Sequence, residues 1–352
     1  MRCQRKCIAW IVSVIVLCTA VTACSCSLED QRVSDGILTV MTYNVCNLFD
    51  TVTDGTEYPE YTPEAGWTVG SYGRRLELIS QAIVQGQTYV PDIVVLQEIE
   101  HERVMQALVE RHLSAYGLRW LATTSDAESA IQVGIVSRYP IQHAVVHGID
   151  GLRSILEVEI ETPVEPICLF ALHAKSQREG EKVTEPLRIL TMAALKDAIE
   201  QRLKYNSQSP ILVAGDFNES ADAYYRWKSE FPTALVPVTD PDAPLYERQG
   251  SLLITGAPPV RGQWYSWWLD PQQFTDAEAT GSYWYKGVWE SFDQILASSE
   301  CFDGKGWDFD CGHVKANKQI CDPSGIPYVW DERRRTGFSD HLPVYIVLKA
   351  CN

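Results

Sequence analysis

Ile211-Leu212-Val213-Ala214-Gly215-Asp216-Phe217-Asn218 is a continuous apolar run that stops at a glycine and delivers an aspartate and an asparagine. So short an apolar run reads as a strand buried on both faces, with the acid standing at its carboxyl end. The same order recurs elsewhere. Leu38-Thr39-Val40-Met41-Thr42-Tyr43 leads to Asn44, Ile93-Val94-Val95-Leu96-Gln97 to Glu98, and Cys168-Leu169-Phe170-Ala171-Leu172 to His173. A carboxylate on a buried strand end costs desolvation free energy unless a cation or donor meets it. Several at one sheet edge therefore point to a metal or phosphate site. Any one of them alone reads equally well as a turn or helix-capping residue.

Ser339-Asp340-His341 completes the set just before an apolar run at 344–348. Asp340 and His341 are chain neighbours and do not easily share a direction, so the orienting carboxylate for His341 is expected elsewhere. Asp293, in Ser291-Phe292-Asp293-Gln294-Ile295, is the candidate. The remaining histidines are taken as solvated or structural. Lys175 is either a charge for a phosphate or an ordinary solvated lysine.

Apolar spacing predicts helices over residues 74–85, 102–116 and 185–205. Strands are predicted at 38–45, 93–96, 120–123, 133–136, 156–160, 167–172, 211–214, 292–297 and 344–348. Two sheets covered by helices would use these elements, in one α/β domain over residues 37–352. Residues 51–73 and 232–288 read as long irregular loops. The second holds Trp264, Tyr265, Trp267, Trp268, Tyr283, Trp284, Tyr285 and Trp289. Core packing or a lid is one reading of these rings; stacking on bases or sugars, or insertion at a lipid surface, is the other.

The N-terminus carries Arg2, Arg5 and Lys6 ahead of an apolar run over residues 8–23, the pattern of an export signal. Val21-Thr22-Ala23-Cys24 resembles a bacterial lipobox, so residues 1–23 are expected to be removed. Cys24 would carry the lipid, and residues 24–36 would be a tether to the membrane. A plain secretory cut near Ala23 or Ser25, or a retained anchor, is the alternative. Removing residues 1–23 takes away three basic and no acidic residues, moving the formal charge from −16 to −19. So acidic a surface repels polyanions at long range, leaving their binding to a local cleft. Cys301, Cys311, Cys321 and Cys351 surround a Gly- and Asp-rich insert that one or two disulfides would hold, with zinc as the rival.

In order along the chain stand Thr42-Tyr43-Asn44-Val45, Leu96-Gln97-Glu98, Gly134-Ile135-Val136-Ser137-Arg138-Tyr139-Pro140, His173, Gly215-Asp216-Phe217-Asn218, Phe292-Asp293-Gln294 and Ser339-Asp340-His341. This ordered set resembles the endonuclease/exonuclease/phosphatase superfamily of deoxyribonuclease I, abasic-site endonucleases, neutral sphingomyelinases and inositol-polyphosphate phosphatases. Asn47-Leu48-Phe49-Asp50 and the segment 281–289 are similar to a bacterial endonuclease-like branch. The resemblance spans residues 38–348. It implies a deoxyribonuclease I-like four-layer α/β sandwich of two mixed β-sheets flanked by helices.

By the same resemblance Glu98 would bind a divalent cation, Mg²⁺ or else Mn²⁺ or Ca²⁺, with Asn44 and Asp340 beside it. Asp216 and Asn218 would orient the attacking water and hold the phosphate. His341, paired to Asp293, would be general base or phosphate donor, and His173 would donate to a phosphoryl oxygen. No clear counterpart appears for the tyrosine that some nuclease branches set over the phosphate. The resulting expectation is an exported, membrane-anchored, monomeric phosphodiesterase with nucleic acid as substrate. A sphingomyelinase or inositol-phosphate phosphatase uses the same chemistry, and a binding lipoprotein without catalysis is the third reading.

Overall fold

The computed structural model describes residues 36–85, 90–127, 129–205, 209–227, 230–273 and 281–351. The expected leader, the lipidation site Cys24 and the tether up to residue 35 lie outside them. Among the described residues no helix is long and apolar enough to cross a membrane.

One sheet contains β1 (Ile37–Leu48), β2 (Ile93–Ile99), β3 (Trp120–Thr123) and β4 (Gln132–Ser137), with β15 (Gly306–Val314) and β16 (Val344–Cys351) added from the chain's far end. The other contains β5 (Ile141–Ile149), β6 (Leu152–Ile160), β7 (Ile167–His173), β8 (Ile211–Asp216), β9 (Leu235–Pro237), β10 (Leu252–Thr255), β11 (Gln263–Tyr265) and β14 (Asp293–Ala297). A separate hairpin pairs β12 (Tyr283–Tyr285) with β13 (Val288–Glu290). The strand orders are β15-β16-β1-β2-β4-β3 and β5-β6-β7-β8-β14-β11-β10-β9. Both sheets are mixed: β1–β2 and β7–β8 are parallel, β2–β4 and β8–β14 antiparallel.

Strand side chains alternate between faces, and here each face has its own cover. Leu169, Ala171, Leu212 and Ala214 share a core with Leu38, Val40, Ile93 and Val95 of the other sheet. Phe170, Leu172 and Val213 turn the other way, against Met192, Leu195 and Ile199 of the helix Glu181–Leu203. Leu76, Ile79 and Ile83 of the helix Val69–Val84 cover the first sheet. Helix, sheet, sheet and helix stack as the expected four-layer sandwich.

The predicted elements are present with shifted ends. Val69–Val84 begins five residues early because the Thr68 side chain accepts the Ser71 N–H and caps it. The predicted helix at 102–116 is α-helical only over Glu102–Leu108 and continues as a π-turn and a 3₁₀ turn. Strands β5, β9 to β13 and β15 went unpredicted: β5 alternates half-buried with exposed residues at a sheet edge, β15 lies in the supposed insert, and β9 to β12, with the helix Ala243–Arg248, are short elements in the stretch 232–288 that was read as irregular loop. Among the described residues no disulfide holds that insert. Across the β15–β16 pair Cys311 faces Val347 and Cys351 faces Gly306, four residues apart along β16. That is about 13 Å at a strand's rise, beyond the roughly 7 Å that a disulfide spans. Among the described residues these cysteines gather into no metal-ligating group either.

Candidate active site

His173, Asp216 and Asp293 stand in one row of the second sheet, because β7 pairs His173 with Asp216 and β14 pairs Asp293 with the same residue. Gly215 makes the row possible: a Cβ there would lie 2.0 Å from the Leu172 carbonyl oxygen. From the facing sheet, Asn44 Nδ2 donates to Asp216 Oδ2 at 2.9 Å and to Glu98 Oε1 at 3.1 Å. Its Oδ1 accepts the Cys46 N–H at 3.0 Å, which fixes which end of the amide faces the acids. One side chain thus ties an acid of each sheet.

His341 arrives on the segment before β16, with Nδ1 2.8 Å from Asp293 Oδ2 and Nε2 3.9 Å from Asp216 Oδ2. Ser339 holds this segment: its hydroxyl donates to the Asn44 carbonyl at 2.7 Å and accepts the His341 N–H at 3.1 Å. His173 Nε2 lies 3.5 Å from Asp216 Oδ2 and 4.0 Å from Glu98 Oε1. Asn218 donates its N–H to Asp216 Oδ1 at 2.8 Å and its amide to the Ala174 carbonyl. Asp340 is half-buried, and its charge acts on Glu98, Cys46 and His341. All eight residues named from the sequence therefore meet. Glu98 and Asn218 adopt φ of 64° and 49°, left-handed conformations that cost roughly 1–3 kcal/mol each in residues other than glycine.

Burial sets the electrostatics. It lifts the Asp216 carboxyl to about 7 against the opposing pull of His341. It lifts Glu98 too, helped by the Asp340 charge. For His341 burial pulls downward, but Asp293, then Asp216 and Asp340, overcome it and raise the imidazole to about 10. His173 is pushed well below its ordinary value by burial and by Arg153. Two imidazoles in one cleft are thereby held in opposite states, His341 charged and His173 neutral.

The sequence missed three supports. Arg75, fully buried, donates to the carbonyls of Val45, Cys46 and Phe338, lashing the turn after Asn44 to the segment that brings Asp340 and His341. In sequence it is one polar position in a helical pattern. Tyr283 bridges to His341 through its backbone, with ring centroids 4.5 Å apart. Cys46 is half-buried next to Asp340 and Glu98 with φ 55°. The aromatic region divides: Trp264, Tyr265 and Trp267 are core, whereas Tyr283 and Tyr285 belong to the hairpin and Tyr285 is half exposed. Lys175 pairs with Glu179 at 3.0 Å and, with Arg153 and His173, lines an open cavity of about 570 Å³.

Glu98 and Asp340 offer carboxylate oxygens, and among the described residues neither pairs with a lysine or arginine; Asn44, expected as a ligand, turns its Nδ2 to Glu98 and so orients that carboxylate without offering an oxygen beside it. Two close carboxylates without a cation suit a hard divalent metal ion.

Residues 39–226 match the model of the Endonuclease/Exonuclease/phosphatase family. No curated protein sequence matches the chain. Among solved structures, TDP2 from Caenorhabditis elegans superposes with a TM-score of 0.54 at 15% identity, over 89% of this chain and 75% of that one. Beta toxin from Staphylococcus aureus gives 0.50 at 18%, over 88% and 99%. D. rerio TDP2, complexed with a single-strand DNA product, gives 0.50 at 17%, over 90% and 100%. Identities this low carry the fold alone, which agrees with the two mixed sheets described above. The match at 39–226 takes in more than half of the chain, including Asn44, Glu98, His173, Asp216 and Asn218, and on it the chain belongs to the endonuclease/exonuclease/phosphatase family.

Proposed function

We propose that the protein is a divalent-metal-dependent phosphodiesterase that cleaves nucleic acid outside the cytoplasm. The observation that carries this reading is Asn44 bridging Glu98 and Asp216 beside the Asp293–His341 pair. Nuclease and phosphatase, the activities in the family's own description, both break phosphate esters. D. rerio TDP2, of the same fold, has been seen with single-strand DNA. Export rests on the leader over residues 1–23 and on Cys24, a sequence argument.

Hydrolysis builds negative charge on the phosphoryl oxygens and requires a proton to leave the attacking water. A divalent cation would be held by Glu98 and Asp340, with Asn44 orienting Glu98, and would supply neutralisation of that charge. Asp216, lifted to about 7 and steered by Asn44 and the Asn218 N–H, takes the water's proton. His341 is kept protonated by Asp293, donates to a phosphoryl oxygen and holds the proton that the leaving alkoxide takes up as its bond to phosphorus breaks. His173, neutral, offers an N–H to another. The amide of Asn218 holds the carbonyl of Ala174, next to His173, and so fixes that edge of the site.

The half-exposed ring of Tyr285 and exposed Val288 on the hairpin next to His341 favour a second reading, a lipid phosphodiesterase of the sphingomyelinase kind. The deciding test is cleavage of supercoiled plasmid by protein starting at residue 27, with Mg²⁺ and Ca²⁺, with EDTA, and with His341→Ala. Nicking that requires both metal and His341 supports the nuclease. Intact plasmid together with headgroup release from sphingomyelin vesicles replaces it with the second reading.

A further inference from the structure

A second cluster of acids shares no residue with the candidate active site. Asp50, Glu100 and His101 each offer a ligand atom, all within 4.8 Å of one another, and so do Asp54, Glu57 and Glu100. Donors that close lie within about 2.8 Å of a common point, near the 2.3–2.6 Å of calcium–oxygen bonds.

Glu100 belongs to both groups and is 3% exposed. Its Oε2 accepts the Asp50 N–H at 2.7 Å, whereas its Oε1 is buried with no hydrogen-bond partner. A buried carboxylate oxygen left without a donor is expensive unless a cation meets it. Asp50 already has its partners: Arg103 Nε donates to its Oδ2 at 3.1 Å, and His101 Nε2 lies 3.5 Å from that oxygen and from Glu100 Oε2. Asp54 and Glu57 come from the segment after β1 and Glu100 from just past β2, so a cation would join the ends of the strands that carry Asn44 and Glu98. Trp67 reinforces the first of these ends by donating its indole N–H to the Asp50 carbonyl at 2.6 Å.

We infer that Asp54, Glu57 and Glu100 form a second divalent-cation site, of the oxygen-rich kind that takes Ca²⁺, separate from the metal of the candidate active site. Its role is to clamp the loop at 50–57 onto β2.

The test is Trp-sensitised Tb³⁺ luminescence on the full folded protein, with Ca²⁺ as competitor, since Trp67 sits against the site. Glu98→Gln should keep the Ca²⁺-displaceable emission while abolishing any metal-dependent hydrolysis. Glu100→Gln should weaken Tb³⁺ binding at least tenfold. Emission that survives Glu100→Gln, or that vanishes with Glu98→Gln, overturns the second site. Should Glu100→Gln fail to fold by circular dichroism, the exposed-side double variant Asp54→Asn/Glu57→Gln decides: a tenfold loss supports the site and unchanged binding refutes it. Because hydrolysis and emission are read separately, an inactive protein with intact emission would count against the proposed hydrolase and not against this site.

Discussion

Asp293→Asn removes the charge that keeps His341 protonated while leaving an oxygen to accept its Nδ1–H. Burial alone would draw the imidazole below its ordinary 6.5, so the rise to about 10 is the work of Asp293 first and of Asp216 and Asp340 after it. That rise of about 3.5 corresponds to roughly 5 kcal/mol, at about 1.4 kcal/mol for each tenfold change. A folded pKa above the unfolded one contributes stability that is complete below pH 6.5 and is lost as pH climbs through 10. One effect opposes it: Asp293 also helps burial lift Asp216, so the substitution relieves that carboxyl and returns part of the loss. The expected net destabilisation of metal-free protein is about 2–4 kcal/mol at pH 6, shrinking below about 1 kcal/mol at pH 10.5. Urea unfolding in EDTA at the two pH values measures it, with the His341 ring followed by NMR. An equal loss at both pH values would refute the reasoning, because the pair would then contribute shape and not charge.

Gly215→Ala places a methyl against the Leu172 carbonyl and should cost about 3 kcal/mol or more in chemical denaturation, since backbone has to move. Arg75→Met strands three buried carbonyls at about 1–3 kcal/mol each, and should weaken hydrolysis beyond the stability loss by freeing Asp340 and His341; thermal unfolding and turnover together check it. Lys315, which donates to the Ala82 and Ile83 carbonyls at 2.6 and 3.2 Å, is pushed down to about 7 by burial. A folded pKa below the unfolded one is a cost that is full below pH 7 and fades as pH rises to 10.5. Lys315→Met should therefore compare better with the parent at pH 7 than at pH 10.5, by roughly 3–5 kcal/mol in unfolding free energy. A difference independent of pH would contradict it.

Much of the site was readable because its residues close apolar strands. Asp216 follows four buried apolar residues and a glycine, and that local pattern needs no knowledge of the partner strand. The pairing of His341 with Asp293 was also within reach, since a chain neighbour such as Asp340 does not share its direction. Arg75 and Tyr283 were not legible, because their meaning lies in contacts with segments 29 to 263 residues away, and an arginine in a helical pattern looks like any solvated one. Glu100 escaped for a different reason: two residues after Glu98, it reads as part of the same acidic strand end. The register shift between Gln97 and Ile99 across the β2–β4 pair breaks that continuity. The β15 strand was hidden by its glycines and aspartates, residues that pairing with β16 overrides.

In the first sheet β16 is the neighbour of β1, so the chain's final strand lies beside its opening one. Asn44 and Glu98 are synthesised early, yet Ser339, Asp340 and His341 come only just before β16. A ribosome that stops short of that point releases a polypeptide with six of the eight groups and no assembled centre. Assembly of the eight groups thus waits on the segment just before β16, and a piece of the chain that stops ahead of it cannot bring them together.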